Sequence, residues 1–240
     1  LTNETIGLNN LNPLTRTKSK YLYQIKNASC VIASSPYLAK KYSLINKNKS
    51  SIYIPPTLDS NIYNAFKFHF QKKQINIGWT GTHSTKKYLK IIEPFLKKIA
   101  KIRNIKFIVI GNFDYKISGV NYECIKWNKD TEIYDLLSFD IGLYPLYEEE
   151  WSLGKSGLKS LQYMALGIPS ISTDYGNNKN IIHNGLNGYL TENNHWEKYI
   201  LKLIDSVELR KKIGINSSLF ISKNNSVEAI NKKYRKVLDN

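Results

Sequence analysis

Residues 140–169, DIGLYPLYEEEWSLGKSGLKSLQYMALGIP, decide how this chain is read. Residues 140–143 form a short apolar run that reads as a buried strand. A polar loop framed by Gly154 and Gly157 follows. Residues 158–166 then carry apolar side chains at helical spacing, and Gly167 and Pro169 stop the helix. Residues 170–172 start a new strand. Strand, loop, helix and strand in this order make one βαβ unit.

The same alternation extends upstream and downstream. Residues 75–79 (INIGW) predict a strand and 80–84 a turn. A helix is predicted over 85–101, with Leu89, Ile92, Leu96 and Ile99 on one face. Pro94 lies inside it, which predicts a kink or a shifted boundary. Strands are predicted at 106–110 and 122–127, a short helix at 131–137, and later helices at 195–204, 207–213 and Val227–Leu238. Near the front, residues 29–34 and 51–54 read as strands around a helix opened by Ser35-Pro36 and running to Tyr42. Residues 57–74 read as a linker. The expected fold class is therefore α/β, a Rossmann-like parallel sheet with helices on both faces. Such sheets bind ligands at the carboxyl ends of their strands, here residues 80–84, 111–113, 128 and 145–157.

Composition narrows the function classes. The chain has 240 residues, 42% of them hydrophobic, enough for a core without disulfides or metals. Two cysteines and four widely spaced histidines give no metal-ligand pattern, so no metal is expected. The net charge is +16, from 35 basic and 19 acidic residues. Residues 1–74 hold eleven basic and two acidic residues, a net of +9, so the front third is the basic part. A basic surface suits nucleic acid, anionic lipid or a phosphorylated substrate, and an exposed lysine-rich surface accounts for it equally well. No helix-turn-helix, RNP or zinc-finger motif is present, so nucleic acid is not expected as a partner. No run of about 18 apolar residues predicts a membrane span. The expected location is cytoplasmic, with contact at the inner membrane face left open. Met164 is the only methionine, which leads to the expectation of a processed, trimmed or partial chain.

Two loops carry candidate chemistry. Gly81 and Thr82 lie between a predicted strand and helix, where small residues and free backbone N–H groups suit an anion. Ser84 serving simply as a helix cap is the alternative there. The second loop, Gly154-Lys155-Ser156-Gly157, leads into a helix and can hold a diphosphate. Positions 155, 159 and 162 follow the i, i+4, i+7 rule, so Lys155, Lys159 and Gln162 are expected on one face. Lysine suits phosphate and glutamine suits a ribose. An exposed polar face on a helix packed by Leu158, Leu161 and Ala165 is the plainer alternative. Trp127, after a strand, is a candidate to flank a base.

The segment GKSGLKSLQYMALGIPSISTDYG (154–176) resembles the donor-sugar motif of family 4 glycosyltransferases, specifically a bacterial branch reading G-K-x-G-x-K-x-x-Q-Y-M-A-x-G-x-P. INIGWTGTHSTKKYL, DIGLYPLYEEEWSLG, NIIHNGLNGYL, ASCVIASSPYLAKKY and SIYIPP resemble other segments of that branch, so the likeness covers about residues 28–215. The resemblance implies a retaining enzyme of the two-domain GT-B fold. Residues 75–224 would be its C-terminal, nucleotide-sugar-binding domain, residues 1–74 a remnant of the acceptor domain with linker, and residues 225–240 a helix crossing back to that domain. It implies transfer of a sugar from a nucleotide-diphosphate donor to an acceptor hydroxyl, in surface polysaccharide or glycan synthesis, with no cofactor beyond the donor itself. Lys155 and Lys159 would be the catalytic cations that neutralise the departing diphosphate, and Gly81, Thr82, Trp127, Gly154, Ser156, Gly157 and Gln162 would bind the donor. The wider family often has two glutamates where this chain has Gly154 and Gln162. Glu148, Glu149 and Glu150 lie near the first of these positions. A lipid-linked or membrane-surface acceptor would meet the basic front. A chain with only part of the acceptor domain would bind nucleotide and transfer sugar poorly. A non-catalytic nucleotide-sugar-binding or scaffold protein, and a sugar-nucleotide epimerase, are the alternatives.

Overall fold

The computed structural model describes residues 18–239. Residues 1–17 of the expected 1–74 unit, and Asn240, therefore lie outside the described residues. The front unit contains α1 (Lys18–Asn27), β1 (Val31–Ala33), α2 (Pro36–Ser43) and β2 (Ser51–Tyr53). The two strands pair in parallel. Ser35 caps α2, its Oγ accepting the Leu38 N–H at 3.2 Å, and Pro36 occupies the first turn where no N–H is needed.

The larger unit is built on β3 (Ile75–Thr80), β4 (Ile105–Ile110), β5 (Tyr122–Ile125), β6 (Ile141–Tyr144), β7 (Ser170–Thr173) and β8 (Tyr189–Thr191). They form one parallel sheet in the order β5-β4-β3-β6-β7-β8. Side chains alternate across a strand, and in β4 that alternation is filled on both sides. Ile105, Phe107 and Val109 meet the α3 (Leu89–Ala100) and α8 (Trp196–Ile204) side, where Leu89, Ile92, Leu96, Ile99, Trp196 and Ile200 are buried. Ile108 and Ile110 meet the opposite side, packed by Leu136 of α4 (Glu132–Leu137) and by Tyr163 of α6 (Leu158–Ala165). Burying each of these large apolar side chains contributes roughly 1.5–3 kcal/mol before chain entropy is counted.

Several elements differ from the sequence expectations. The helix expected over 85–101 begins as a 3₁₀ turn at His83–Tyr88 and becomes α-helical only at Leu89. Pro94 thus sits in the second α-turn, and the boundary moves rather than the helix ending. Thr82, not Ser84, caps the 3₁₀ turn, in a reciprocal pair with Thr85. The helix expected over 207–213 is α9 (Val207–Asn224), which runs straight through Gly214. A Cβ at Gly214 would lie 2.3 Å from the Gly167 carbonyl oxygen, so the glycine allows α9 to pack against the end of α6. The short helices α5 (Glu150–Leu153) and α7 (Asn178–Ile181), and the edge strand β8, carry too few residues for a periodic signal. Leu158, expected to pack α6, is 42% exposed.

The linker and the last helix, α10 (Val227–Leu238), are joined. Leu58 N–H donates to Asn225 O at 2.9 Å, and the Asn225 amide donates to Pro56 O at 3.1 Å. Below the sheet, at the amino end of β6, the buried Asp140 carboxylate accepts from Lys72 Nζ at 2.7 and 2.8 Å and from the Asn76 N–H at 2.9 Å. That places Asp140 in the scaffold, away from the carboxyl edge. Among the described residues, no helix is long and apolar enough to cross a membrane.

Candidate functional site

The chain leaves β3 toward β4 on one side and leaves β6 toward β7 on the other, so the loops after these two neighbours diverge. Their divergence opens a crevice at the carboxyl edge. The β3–β6 pairing already ends at Gly78 and Gly142. The Thr80 N–H, at the free end of β3, donates instead to the Tyr163 hydroxyl at 3.0 Å, which anchors α6 beneath the crevice.

Gly157 sets how α6 begins. Its φ is +83°, a left-handed conformation that L side chains adopt rarely, and a Cβ there would lie 2.3 Å from Ile181 Cδ1. This break corrects the expectation of one helical face. Lys159 and Gln162 are on α6, but Lys155 stands in the preceding loop, before the left-handed residue. The loop still returns Lys155 to the same crevice. Its Nζ lies 5.3 Å from the Tyr88 ring centre and 5.7 Å from that of Trp151. The Lys159 ammonium lies 4.5 Å from the Trp79 ring centre and 5.5 Å from that of Tyr144, and donates to Thr85 Oγ1 at 3.3 Å.

The two lysines share an electrostatic problem. Burial pushes the Lys159 ammonium down to about 7, and the neighbouring Lys155 charge acts in the same direction. Burial also lowers Lys155, partly offset by the Glu149 carboxylate and reinforced by Lys87. Among the described residues no carboxylate forms an ion pair with either lysine. Two lysines under aromatic walls, without a carboxylate ion pair among the described residues, form a site that favours an anion.

The three glutamates near the loop are now placed in part. Glu149 accepts from Lys87 Nζ at 2.9 Å and from Tyr88 Oη at 2.7 Å. Burial raises its carboxyl, but those hydrogen bonds and the nearby cations outweigh that, leaving it below the usual range. Glu150 pairs with Lys41 Nζ at 2.6 Å and accepts from the Tyr37 hydroxyl. Lys41, Glu150, Trp151, Gly154 and Lys155 line a cavity of about 480 Å³ between α2 and α5. Gly154 ends α5 against Leu38 of α2.

The remaining expected residues have definite places. Gly81 and Thr82 follow β3, but their N–H groups are committed, Gly81 to Ile110 O at 3.0 Å and Thr82 to Thr85 Oγ1 at 3.0 Å. The Ser156 carbonyl accepts from the Asn177 amide at 2.6 Å, which fixes the loop against α7. Trp127, after β5, is 40% exposed, and its indole N–H donates to Glu132 Oε1 at 3.0 Å. Gln162 Nε2 donates to Tyr63 Oη at 2.6 Å and to the same Glu132 oxygen at 3.3 Å. Glu132 and Tyr63 had no signal in the sequence. An acid at a helix N-terminus reads as a complement to the helix dipole, and Tyr63 falls in the linker. Among the described residues, no group of three or more His, Cys, Asp or Glu is placed to hold a metal ion.

Known proteins share this architecture. A mutant of S. aureus TarM, in complex with fondaparinux, alpha-GlcNAc-glycerol and UDP, superposes with a TM-score of 0.73 at 20% identity, covering 96% of this chain and 48% of TarM. Anabaena HepE, in complex with UDP and glucose, gives a TM-score of 0.71 at 16% identity, covering 93% of this chain and 67% of HepE. The C-terminal domain of the group 1 glycosyl transferase LpcC from Francisella tularensis gives 0.54 at 20% identity, covering 71% of this chain and 99% of that domain. The chain thus spans about half the length of TarM, and its six-stranded unit has the fold of a GT-B C-terminal domain. No curated protein sequence matches the chain. Residues 74–208, which include β3, the lysine loop and α6, match the family described as glycosyl transferases group 1. That match takes in more than half of the sequence and every strand of the sheet that shapes the crevice, and the chain belongs to this family.

Proposed function

We propose that the chain is the donor-binding part of a retaining, family 4 type glycosyltransferase that moves a sugar from a nucleotide-diphosphate sugar to an acceptor hydroxyl, in polysaccharide or glycan synthesis. The observation that carries this reading is the pair Lys155 and Lys159, two partly buried cations with depressed proton affinity and no ion-pair partner among the described residues. A diphosphate in the crevice supplies the absent charge. As the sugar–phosphate bond breaks, negative charge grows on the departing oxygen, and cations held in place in a low-dielectric site stabilise that charge without reorganising. The acceptor hydroxyl attacks from the face the diphosphate leaves. We place the acceptor in the cavity between α2 and α5, because Lys155 lines it and links it to the lysine site.

Calorimetric titration of UDP, ADP and GDP tests the reading. One of them is expected to bind, and Lys155→Ala and Lys159→Ala are each expected to weaken it roughly 10- to 100-fold, the range for a hydrogen bond to a charged group. If none of the three binds more tightly than inorganic phosphate, the donor reading fails, and the epimerase alternative fails with it. If one binds but no transfer accompanies it when an acceptor-domain partner is present, the scaffold alternative takes its place.

A further inference from the structure

We propose that Glu132 is a specificity-determining residue of the donor site, its carboxylate accepting hydroxyl protons from the vicinal diol of a ribonucleotide. The inference rests on the donor reading above and adds a residue to it. Glu132 opens α4 just beyond the carboxyl end of β5. Both of its recorded hydrogen bonds arrive at one oxygen, Oε1, from the Trp127 indole at 3.0 Å and the Gln162 amide at 3.3 Å. Among the described residues, no hydrogen bond or ion pair engages Oε2. A carboxylate has about four acceptor positions, so most of its capacity remains open.

The Gln162 amide adds to the argument. A carboxylate only accepts, which fixes the amide with Nε2 toward Glu132. Nε2 also donates to Tyr63 Oη at 2.6 Å, so both amide protons are committed. What Gln162 has left to offer is its carbonyl oxygen. The site therefore presents two acceptors, Glu132 Oε2 and Gln162 Oε1, and no free donor from either residue. Two acceptors side by side are complementary to two adjacent hydroxyls. They are unfavourable to a phosphorylated ribose, whose charge would face a carboxylate. The spacing agrees with a nucleotide. Lys159 and Gln162 are three residues apart on α6, about 4.5 Å along the axis, the scale on which a ribose is separated from its first phosphate. Trp127, which is 40% exposed and whose indole N–H is held by the same carboxylate, is the aromatic surface nearest to hand for the base.

The test measures discrimination instead of affinity alone. Calorimetry compares whichever of UDP, ADP and GDP binds with its own 2′-deoxy and 3′-deoxy analogues on wild type, Glu132→Ala and Glu132→Gln, with thermal melts to show that each variant is folded. Wild type is expected to prefer the ribonucleotide roughly 10- to 100-fold over each deoxy analogue. In Glu132→Ala the preference over one of the two deoxy analogues, the one lacking the hydroxyl that meets Glu132, is expected to fall to within about threefold, while the preference set by Gln162 remains; Glu132→Gln, which keeps the shape but loses the charge, should lie between. A residue that only props up the loop would weaken all three ligands in parallel. Undiminished discrimination against both analogues in a folded Glu132→Ala overturns the assignment and leaves the donor reading standing, as does a wild type indifferent to both deoxy changes. Absence of binding by UDP, ADP and GDP alike overturns both.

Discussion

Binding of a nucleotide sugar should draw a proton onto Lys159, and the number of protons can be worked out in advance. With the free site at about 7, the ammonium is about half charged at pH 7 and roughly one-tenth charged at pH 8. A bound diphosphate places negative charge beside it and returns its proton affinity toward that of an ordinary lysine. Uptake should then be about 0.1 proton at pH 6, about 0.5 at pH 7 and about 0.9 at pH 8. The same linkage makes binding about tenfold weaker at pH 8 than at pH 6, about 1.4 kcal/mol.

The ligand should be a nucleotide-diphosphate sugar carrying the base that binds, because its esterified phosphates carry no second ionisation in this range. Calorimetry in Tris and in HEPES at the same pH gives the uptake from the difference in apparent enthalpy. Lys155, also depressed by burial, contributes in the same direction. Glu149, already lowered, stays ionised throughout. A histidine charged by the ligand would give uptake that fades above pH 8, whereas the lysine signal should stay near one proton at pH 9. Zero uptake at pH 8, with tight binding, would refute the claim that Lys159 meets the diphosphate.

Other consequences follow from the same contacts. Lys159→Met removes a cation from an aromatic wall and should stabilise the ligand-free fold by about 1–3 kcal/mol, with Tm rising about 2–4 °C for each of these, while nucleotide binding is lost. Because the folded-state value of Lys159 lies below its ordinary one, the unfolded chain binds more protons between about pH 7 and the normal lysine range. Wild-type stability should therefore rise with pH across that window, by at most about 1.4 kcal/mol per pH unit, and denaturant melts of Lys159→Met should lose that slope. Gly157→Ala, with its positive φ and the Ile181 contact, should cost about 1–3 kcal/mol in urea unfolding and weaken nucleotide binding as well. Asp140→Asn, which leaves Lys72 without its carboxylate, should cost about 2–3 kcal/mol in the same assay without changing nucleotide affinity.

The parallel sheet was readable because its strands are buried on both faces, so INIGW, KFIVI and DIGL stand out as apolar runs bounded by glycine or turn residues. The loop with Lys155 was readable because Gly154 and Gly157 frame it. What the one-dimensional pattern could not carry was conformation at a single residue. Counting 155, 159 and 162 as one face assumes a continuous helix, and the positive φ of Gly157 breaks it. The same limit hid α9 beyond Gly214, since the close approach to Gly167 that makes glycine necessary there is a tertiary fact. Glu132 escaped for a different reason. It is 30 residues from Gln162, and only the approach of the start of α4 to the middle of α6 brings the two within 3.3 Å.

That adjacency gives α6 two opposite electrostatic tasks about one turn apart. At its start, a cation sits where burial disfavours it. One turn on, the helix positions an amide against a carboxylate that has acceptor capacity left over. The first arrangement does not serve the ligand-free fold, since an apolar side chain at 159 would be easier to accommodate; the second holds Trp127 and Gln162 but leaves acceptor capacity unused. On the proposed reading a nucleoside diphosphate would answer both at once, its phosphates meeting the cation and its hydroxyls the acceptors. Neither phosphate alone nor a nucleoside alone does this. The proposed site would therefore discriminate by requiring both ends of one ligand, and the unfavourable charge held in the crevice would make the difference between partial and complete ligands large.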